Sequence, residues 1–207
     1  MRAAAILISA LTVAMAANGV TAAPDARREA REALARGDYR LRDVAGAHDD
    51  QSRRAATAYN ESILLEQPYI TPENDLETRL VALARDASPE NVERFERALL
   101  EGPLYIVTTK EGHAASSQGG RVGLPVWTAP MADGTVVAVL FTSERRIAEA
   151  LHNSDGIYWI ALKGRAALEV VRGKRVMLNF GLQPPAIWSA EQTERMLEMP
   201  AASTPQS

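Results

Sequence analysis

The sequence predicts an α+β fold over residues 71–199, with one mixed β-sheet covered by helices. Two observations carry that expectation. Two helical patterns open this region, and short β-branched runs alternating with further helical patterns follow them. The 207-residue chain has no cysteine, so the core must hold without disulfides, and a domain of this size can do so. Aromatic residues make up only 5%, which leaves Leu, Val, Ile and Ala to fill that core.

The chain starts with MRAAAILISALTVAMAANGVTAA, residues 1–23. One basic residue, Arg2, precedes an uncharged apolar run from Ala3 to Ala17, and small residues around Val20-Thr21-Ala22 supply a cleavage pattern. That order predicts a secretory signal peptide, hence a periplasmic or secreted protein. The run is shorter than the roughly 20 residues a spanning helix needs, and no later segment qualifies, so no membrane span is expected in the mature chain. Residues 24–70 are charged and rich in Ala and Arg. Acidic and basic residues alternate through DARREAREALARGDYRLRD, and Ala26–Ala35 has helix propensity with little to bury. A linker or solvated helix is expected there, with a partner-binding arm as the functional alternative.

Within the domain, Leu76, Leu80, Leu83 and Ala84 recur at helical spacing over Glu73–Arg85. A second helix follows, with Ser88 as N-cap, Pro89 at the first position, Val92, Phe95 and Leu99 as its stripe and Gly102 as its stop. LYIVTT, Leu104–Thr109, reads as a strand and Lys110–Arg121 as a flexible loop. LPVWTAP and TVVAVLF form a strand pair around an Asp133-Gly134 turn. After Thr142-Ser143 comes a helix with Ile147, Ala150 and Leu151 on its apolar face. GIYWIAL is the next strand, and a short helix through Ala166, Ala167, Val170 and Val171 ends at Gly173. RVMLNFG is a strand that breaks at Asn179–Gly181. Ser189 with Gln192 has capping-box spacing for a last helix, and residues 200–207 form a disordered tail.

These pieces occur in the order of a known family. An Asn-x-Leu-Glu opening helix (Asn74, Leu76, Glu77) precedes a Phe-x-x-x-Leu-Leu helix (Phe95, Leu99, Leu100). An Asp-Gly hairpin leads into Phe-Thr-Ser (Asp133, Gly134, Phe141, Thr142, Ser143), and a strand ends in Leu178-Asn179. From Asn74 to Leu197 the chain resembles the N-terminal domain of the SseB family, named for enhanced serine sensitivity. The resemblance brings no catalytic residues with it. It implies a cytoplasmic location, as is common in that family, whereas the first 23 residues imply export.

A net charge of −3 argues against nucleic acid as partner, because such binding needs a basic face that displaces phosphate counterions. His48, His113 and His152 have no metal-ligand spacing and no carboxylate orienter, so no metal, cofactor or catalytic histidine is assigned. SQGGRVG, Ser117–Gly123, lacks the Lys-Ser/Thr pair of a phosphate loop. Asp49-Asp50 lies in the solvated leader. Lys163, Arg165, Arg172, Lys174 and Arg175 form the one local basic cluster, and Arg172–Arg175 suits a helix C-terminus. Trp127, Tyr158, Trp159 and Trp188 read either as core or as the lining of a peptide groove.

Thr142 and Ser143, where a strand meets a helix, are either a nucleophile or a helix cap; a nucleophile elbow would place glycines around the serine. The expectation is therefore a non-catalytic interaction or regulatory module whose partner is another protein. Lys163, Arg165, Asn179 and Trp188 are the expected ligand or partner surface. A small-molecule or anion binder using Lys163, Arg165 and the LNFG turn is the alternative, followed by a hydrolase using Thr142 or Ser143.

Overall fold

A computed structural model describes residues 24–38, 40, 42, 47–117, 123–131, 135–152 and 156–200. The expected signal peptide, the Asp133-Gly134 turn, residues 118–122 of the Ser117–Gly123 loop and the tail after Pro200 lie outside the described residues.

The sheet has the order β4-β1-β3-β5-β6, with β2 also pairing with β3. Its strands are β1 (Pro103–Thr108), β2 (Thr128–Pro130), β3 (Val136–Phe141), β4 (Tyr158–Lys163), β5 (Val176–Leu178) and β6 (Ala186–Trp188). β3 and β5 run parallel, and the other pairs are antiparallel, which makes the sheet mixed. Alternation along the strands sends two sets of apolar side chains to opposite faces. Leu104, Ile106, Leu140, Ile160 and Leu178 share one core with α3 (Asp75–Arg85), α4 (Pro89–Glu101), α7 (Gly164–Val170) and α8 (Ala190–Glu198). Val107, Val137, Val139, Phe141 and Met177 meet Ile147 of α6 (Glu144–Leu151) on the other face. This is the α+β architecture expected, with helices on both faces.

Several local expectations are corrected. Lys110–Ser117, expected as loop, is helix α5. Thr109 Oγ1 accepts the Gly112 N–H at 3.1 Å and its carbonyl accepts the His113 N–H, which starts the helix. Gly112 is a packing residue here, not a breaker, since a Cβ would lie 2.3 Å from Thr108 Oγ1. LPVWTAP supplies only the strand Thr128–Pro130, although Trp127 bridges its neighbours by donating to the Val107 carbonyl and accepting from Val139 N–H. Ser88 holds the N-cap position without a side-chain cap bond; its own N–H donates to Asp86. Strand β6 has no counterpart among the expected elements, being three residues long and preceded by Pro184-Pro185. The Ser189–Gln192 capping box is present as expected.

Residues 24–70 are more than a linker. Helices α1 (Pro24–Ala35) and α2 (Asp50–Glu66) pack against each other, burying Ala26, Ala30 and Ala33 against Ala58, Tyr59 and Ile63. Alanine buries little area by itself, but its small side chain lets two helices approach closely, and a search for large apolar residues misses such a face. Arg42 stacks over the Tyr59 ring at 3.8 Å and exchanges hydrogen bonds with Asn60. Hydrogen bonds from this hairpin to the sheet domain gather at its C-terminal end. Gln67 donates to the Gly181 carbonyl, Ile70 N–H to that of Gln183, and Gln183 to that of Leu64.

Candidate functional site

The end of β3, the start of α6, the start of α3 and the turn after β5 converge on one buried polar cluster. Glu77, in the first turn of α3, is fully buried, and Arg146, in the first turn of α6, has a side chain only 2% exposed. Arg146 Nε donates to Glu77 Oε1 at 3.0 Å and Nη2 to Oε2 at 2.8 Å, a two-pronged pair. Nη2 also donates to the Thr71 carbonyl and Nη1 to Glu149 Oε2, both at 2.6 Å. The Thr142 hydroxyl donates to Glu77 Oε1 at 2.5 Å, and the Glu73 N–H reaches Oε2 at 2.8 Å. The carboxylate is thus surrounded by donors.

Two asparagines complete the cluster. Asn74 caps α3 by accepting the Glu77 N–H at 2.9 Å, and its Nδ2 donates to the Thr142 carbonyl at 3.3 Å. Asn179 is fully buried with φ 56°, a left-handed conformation that asparagine tolerates better than most residues. That turn aims its Oδ1 at the Thr142 N–H, which donates to it at 3.1 Å. Asn179 Nδ2 is buried and meets no hydrogen-bond partner among the described residues. Outside the cluster, Arg145 bridges Glu73 and Glu149, extending the ion pairs to the surface.

Burial by itself raises the Glu77 pKa, but the hydrogen bonds from Arg146 and Thr142 outweigh it and hold the carboxyl below the usual glutamate value. Burial opposes the Arg146 charge as well, yet Glu77 and Glu149 raise its pKa. Both groups stay ionised near neutrality. The Thr142 hydroxyl is committed to a carboxylate and is 1% exposed. Ser143 Oγ accepts the Arg146 N–H and caps α6, a bond worth about 1 kcal/mol. Phe-Thr-Ser is a strand end, a buried donor and a helix cap. What this arrangement does is fasten four chain segments at one point.

A family model described as the SseB protein N-terminal domain matches residues 76–191. The chain belongs to the SseB family. Comparison with curated proteins and with solved structures gave no match. Glu77, Thr142, Arg146 and Asn179 of the SseB domain, together with Asn74 just before the matched stretch, meet in the cluster. They come from three separate stretches of the sequence, 74–77, 142–146 and 179, that are adjacent in the fold.

Two of the four residues expected as the ligand surface of the SseB domain, Trp188 and Asn179, are buried. Trp188 is 1% exposed in the main core, where its indole N–H donates to Thr193 Oγ1 at 3.0 Å. Asn179 is buried in the polar cluster. Arg165 donates to the Leu197 and Met199 carbonyls at 2.5 and 2.6 Å, satisfying the free C-terminal end of α8. Lys163 alone of the four is exposed, at the N-cap of α7. In the rest of the basic cluster, Arg172 pairs with Glu169 and lies 3.5 Å from Glu194, while Arg175 donates to Thr135.

The other expected candidates are also dispersed. His48 and His152 are exposed, and the His113 ring meets Tyr158 edge-on at 5.9 Å. Among the described residues no three potential metal ligands converge, and no helix is long and apolar enough to cross a membrane. Of the aromatic residues, Trp159 packs on Tyr105 at 5.3 Å, and Trp127 lies between Phe141 and Phe180. Tyr105, Trp127, Trp159 and Phe180 are all half-buried on the α6 face of the sheet.

Sequence reasoning missed Arg146 as a partner for Glu77. A signal was present: Arg146 lies one turn before Ala150, and Glu77 one turn before Leu80 and Val81, so each borders an apolar stripe.

Proposed function

We propose that this SseB-family chain is a non-catalytic interaction or regulatory module that binds another protein and acts after export. The observation that carries the reading is the closure of the Glu77–Thr142–Arg146 cluster, whose ionisable and hydroxyl groups are occupied by one another. A catalytic group needs at least one reactive atom within reach of a substrate, and Thr142 is buried with its hydroxyl hydrogen-bonded to a carboxylate. The half-buried Tyr105, Trp127, Trp159 and Phe180 supply a face of the kind that aromatic-rich interfaces use. An anion site would have to use Lys163 without Arg165, whose guanidinium is engaged by α8.

Affinity capture from cell-envelope extract tests the reading, with the folded chain as bait beside a Trp127→Ala bait of matched melting behaviour. The expected result is a protein retained reproducibly by the first and lost with the second. Capture of nothing, or capture indifferent to Trp127→Ala, overturns it. Export rests on the order of charge, apolar run and small residues in positions 1–23. N-terminal sequencing should find a new terminus after Ala22 or Ala23, and an intact Met1 on cytoplasmic protein refutes export.

A further inference from the structure

Strand β4 closes one side of the sheet: all six of its residues pair with β1, and among the described residues no strand pairs with its outer side. Open strand edges of this kind are usually protected by charge, proline or a bulge. Tyr158–Leu162 has none of these; the sequence YWIAL is uncharged and β-prone, and the first charge is Lys163. The unsatisfied backbone groups can be assigned. Gly164 N–H donates to the Gly102 carbonyl at 2.7 Å, so that pair is hydrogen-bonded and alternate pairs along the antiparallel ladder follow it. Tyr158, Ile160 and Leu162 therefore direct N–H and C=O toward β1, while Trp159, Ala161 and Lys163 direct theirs outward.

The geometry points to a second copy of this chain as the occupant, pairing β4 with β4 antiparallel about a two-fold axis through Ala161. Pairing across an axis perpendicular to the sheet keeps each side chain on its own face, so residues on one face must oppose each other. With Ala161 opposite Ala161, Trp159 stands opposite Lys163 and Ile160 opposite Leu162. Every outward backbone group from Trp159 to Lys163 then finds its partner. The register places the Lys163 ammonium against the Trp159 ring, a favourable cation–π arrangement, and apolar against apolar on the other face. No like charges meet. Ala161 is small and exposed, so nothing bulky occupies the axis. The interface is isologous, which closes the assembly at two copies. Trp159 also belongs to the aromatic face proposed above for the protein partner, so the two associations share that residue, while pairing through Ala161 belongs to the dimer alone.

Sedimentation of the full chain at about 10–100 μM, a range that suits a modest interface, tests the proposal. Wild type should sediment as a dimer. Ala161→Glu brings two carboxylates together on the axis and should weaken association about tenfold or more, and Ala161→Lys should do the same. An equimolar mixture of A161E and A161K chains should recover the dimer as a heterodimer. Ala161→Cys supplies a readout that does not depend on those variants folding. A hydrogen-bonded antiparallel pair sets the two Cα atoms about 5.5 Å apart, within disulfide reach. Mild oxidation should link A161C chains much faster than a control with Val136→Cys, an exposed site on β3. Monomeric wild type, A161E chains that remain dimeric, or equal crosslinking from both cysteines overturns the proposal.

Discussion

Replacing Arg146 with methionine is expected to destabilise the fold by about 3–5 kcal/mol, the usual cost of removing one partner from a buried ion pair. The carboxylate of Glu77 would stay fully buried, with the Thr142 hydroxyl and the Glu73 N–H as its remaining donors. A domain is stable by only about 5–15 kcal/mol, so urea denaturation should show the loss as a large fall in midpoint. pH dependence separates this cause from lost packing. In wild type the Glu77 pKa is depressed, so its contribution is present above the ordinary value of 4.5 and is lost as pH falls through the lowered value. Without Arg146, burial dominates and raises that pKa, and protonation then relieves the native state. The deficit of Arg146→Met against wild type should therefore shrink as pH falls toward 4.5 and below. Combining Glu77→Gln with Arg146→Met should recover part of the loss, because the glutamine oxygen still accepts from Thr142 and no charge remains buried. A deficit below about 1 kcal/mol, or one that is constant with pH, would contradict this account.

Gly164→Ala is expected to cost about 3 kcal/mol or more, the upper part of the range for overpacking. A Cβ at this buried position, the first residue of α7, would lie 1.6 Å from the Leu99 carbonyl oxygen and 2.7 Å from its carbon. The obstacle is the backbone of α4, which cannot turn aside as a flexible side chain can. Helix propensity favours alanine over glycine by about 1 kcal/mol, so propensity alone predicts stabilisation. The sign of the measured change decides between the two arguments. Gly173→Ala makes the comparison clean: φ is +75° with open space around the site, so only backbone strain of about 1–2 kcal/mol applies. Equal losses from the two substitutions in thermal or urea melts would refute the close approach.

What can be read from the sequence follows from the range over which its signals act. The stripes of α3, α4 and α6 and the β-branched run of β1 repeat within a few residues, and all four elements are present. Asn74, Glu77, Thr142 and Asn179 are legible as pieces of a family signature, but not as neighbours. Glu77 and Thr142 are 65 positions apart and Glu77 and Arg146 are 69 apart, so only the closed sheet brings them together. Trp188 suggests a surface as one of four aromatics that could line a groove, and Asn179 as part of the LNFG turn. Their burial depends on tertiary partners, Thr193 for the indole and Thr142 for the amide, that periodicity does not reveal. Helix α5 and the packing of α1 against α2 escape notice for a compositional reason, since Gly, Ser and Ala signal looseness unless their smallness is itself the packing requirement.

The α1–α2 hairpin also bears on what the stability of this chain means. Its buried alanines and Ile63 pack within the hairpin, and among the described residues its hydrogen bonds to the sheet domain involve positions from Leu64 onward. Little of the free energy that holds the sheet together is therefore shared with the arm. The arm is therefore expected to open and re-form while the sheet domain stays intact, which hydrogen exchange would show as weaker protection in α1 and α2 than in β1 and β3. An unfolding free energy measured through the sheet would then be a property of the sheet domain, with the arm needing a measurement of its own.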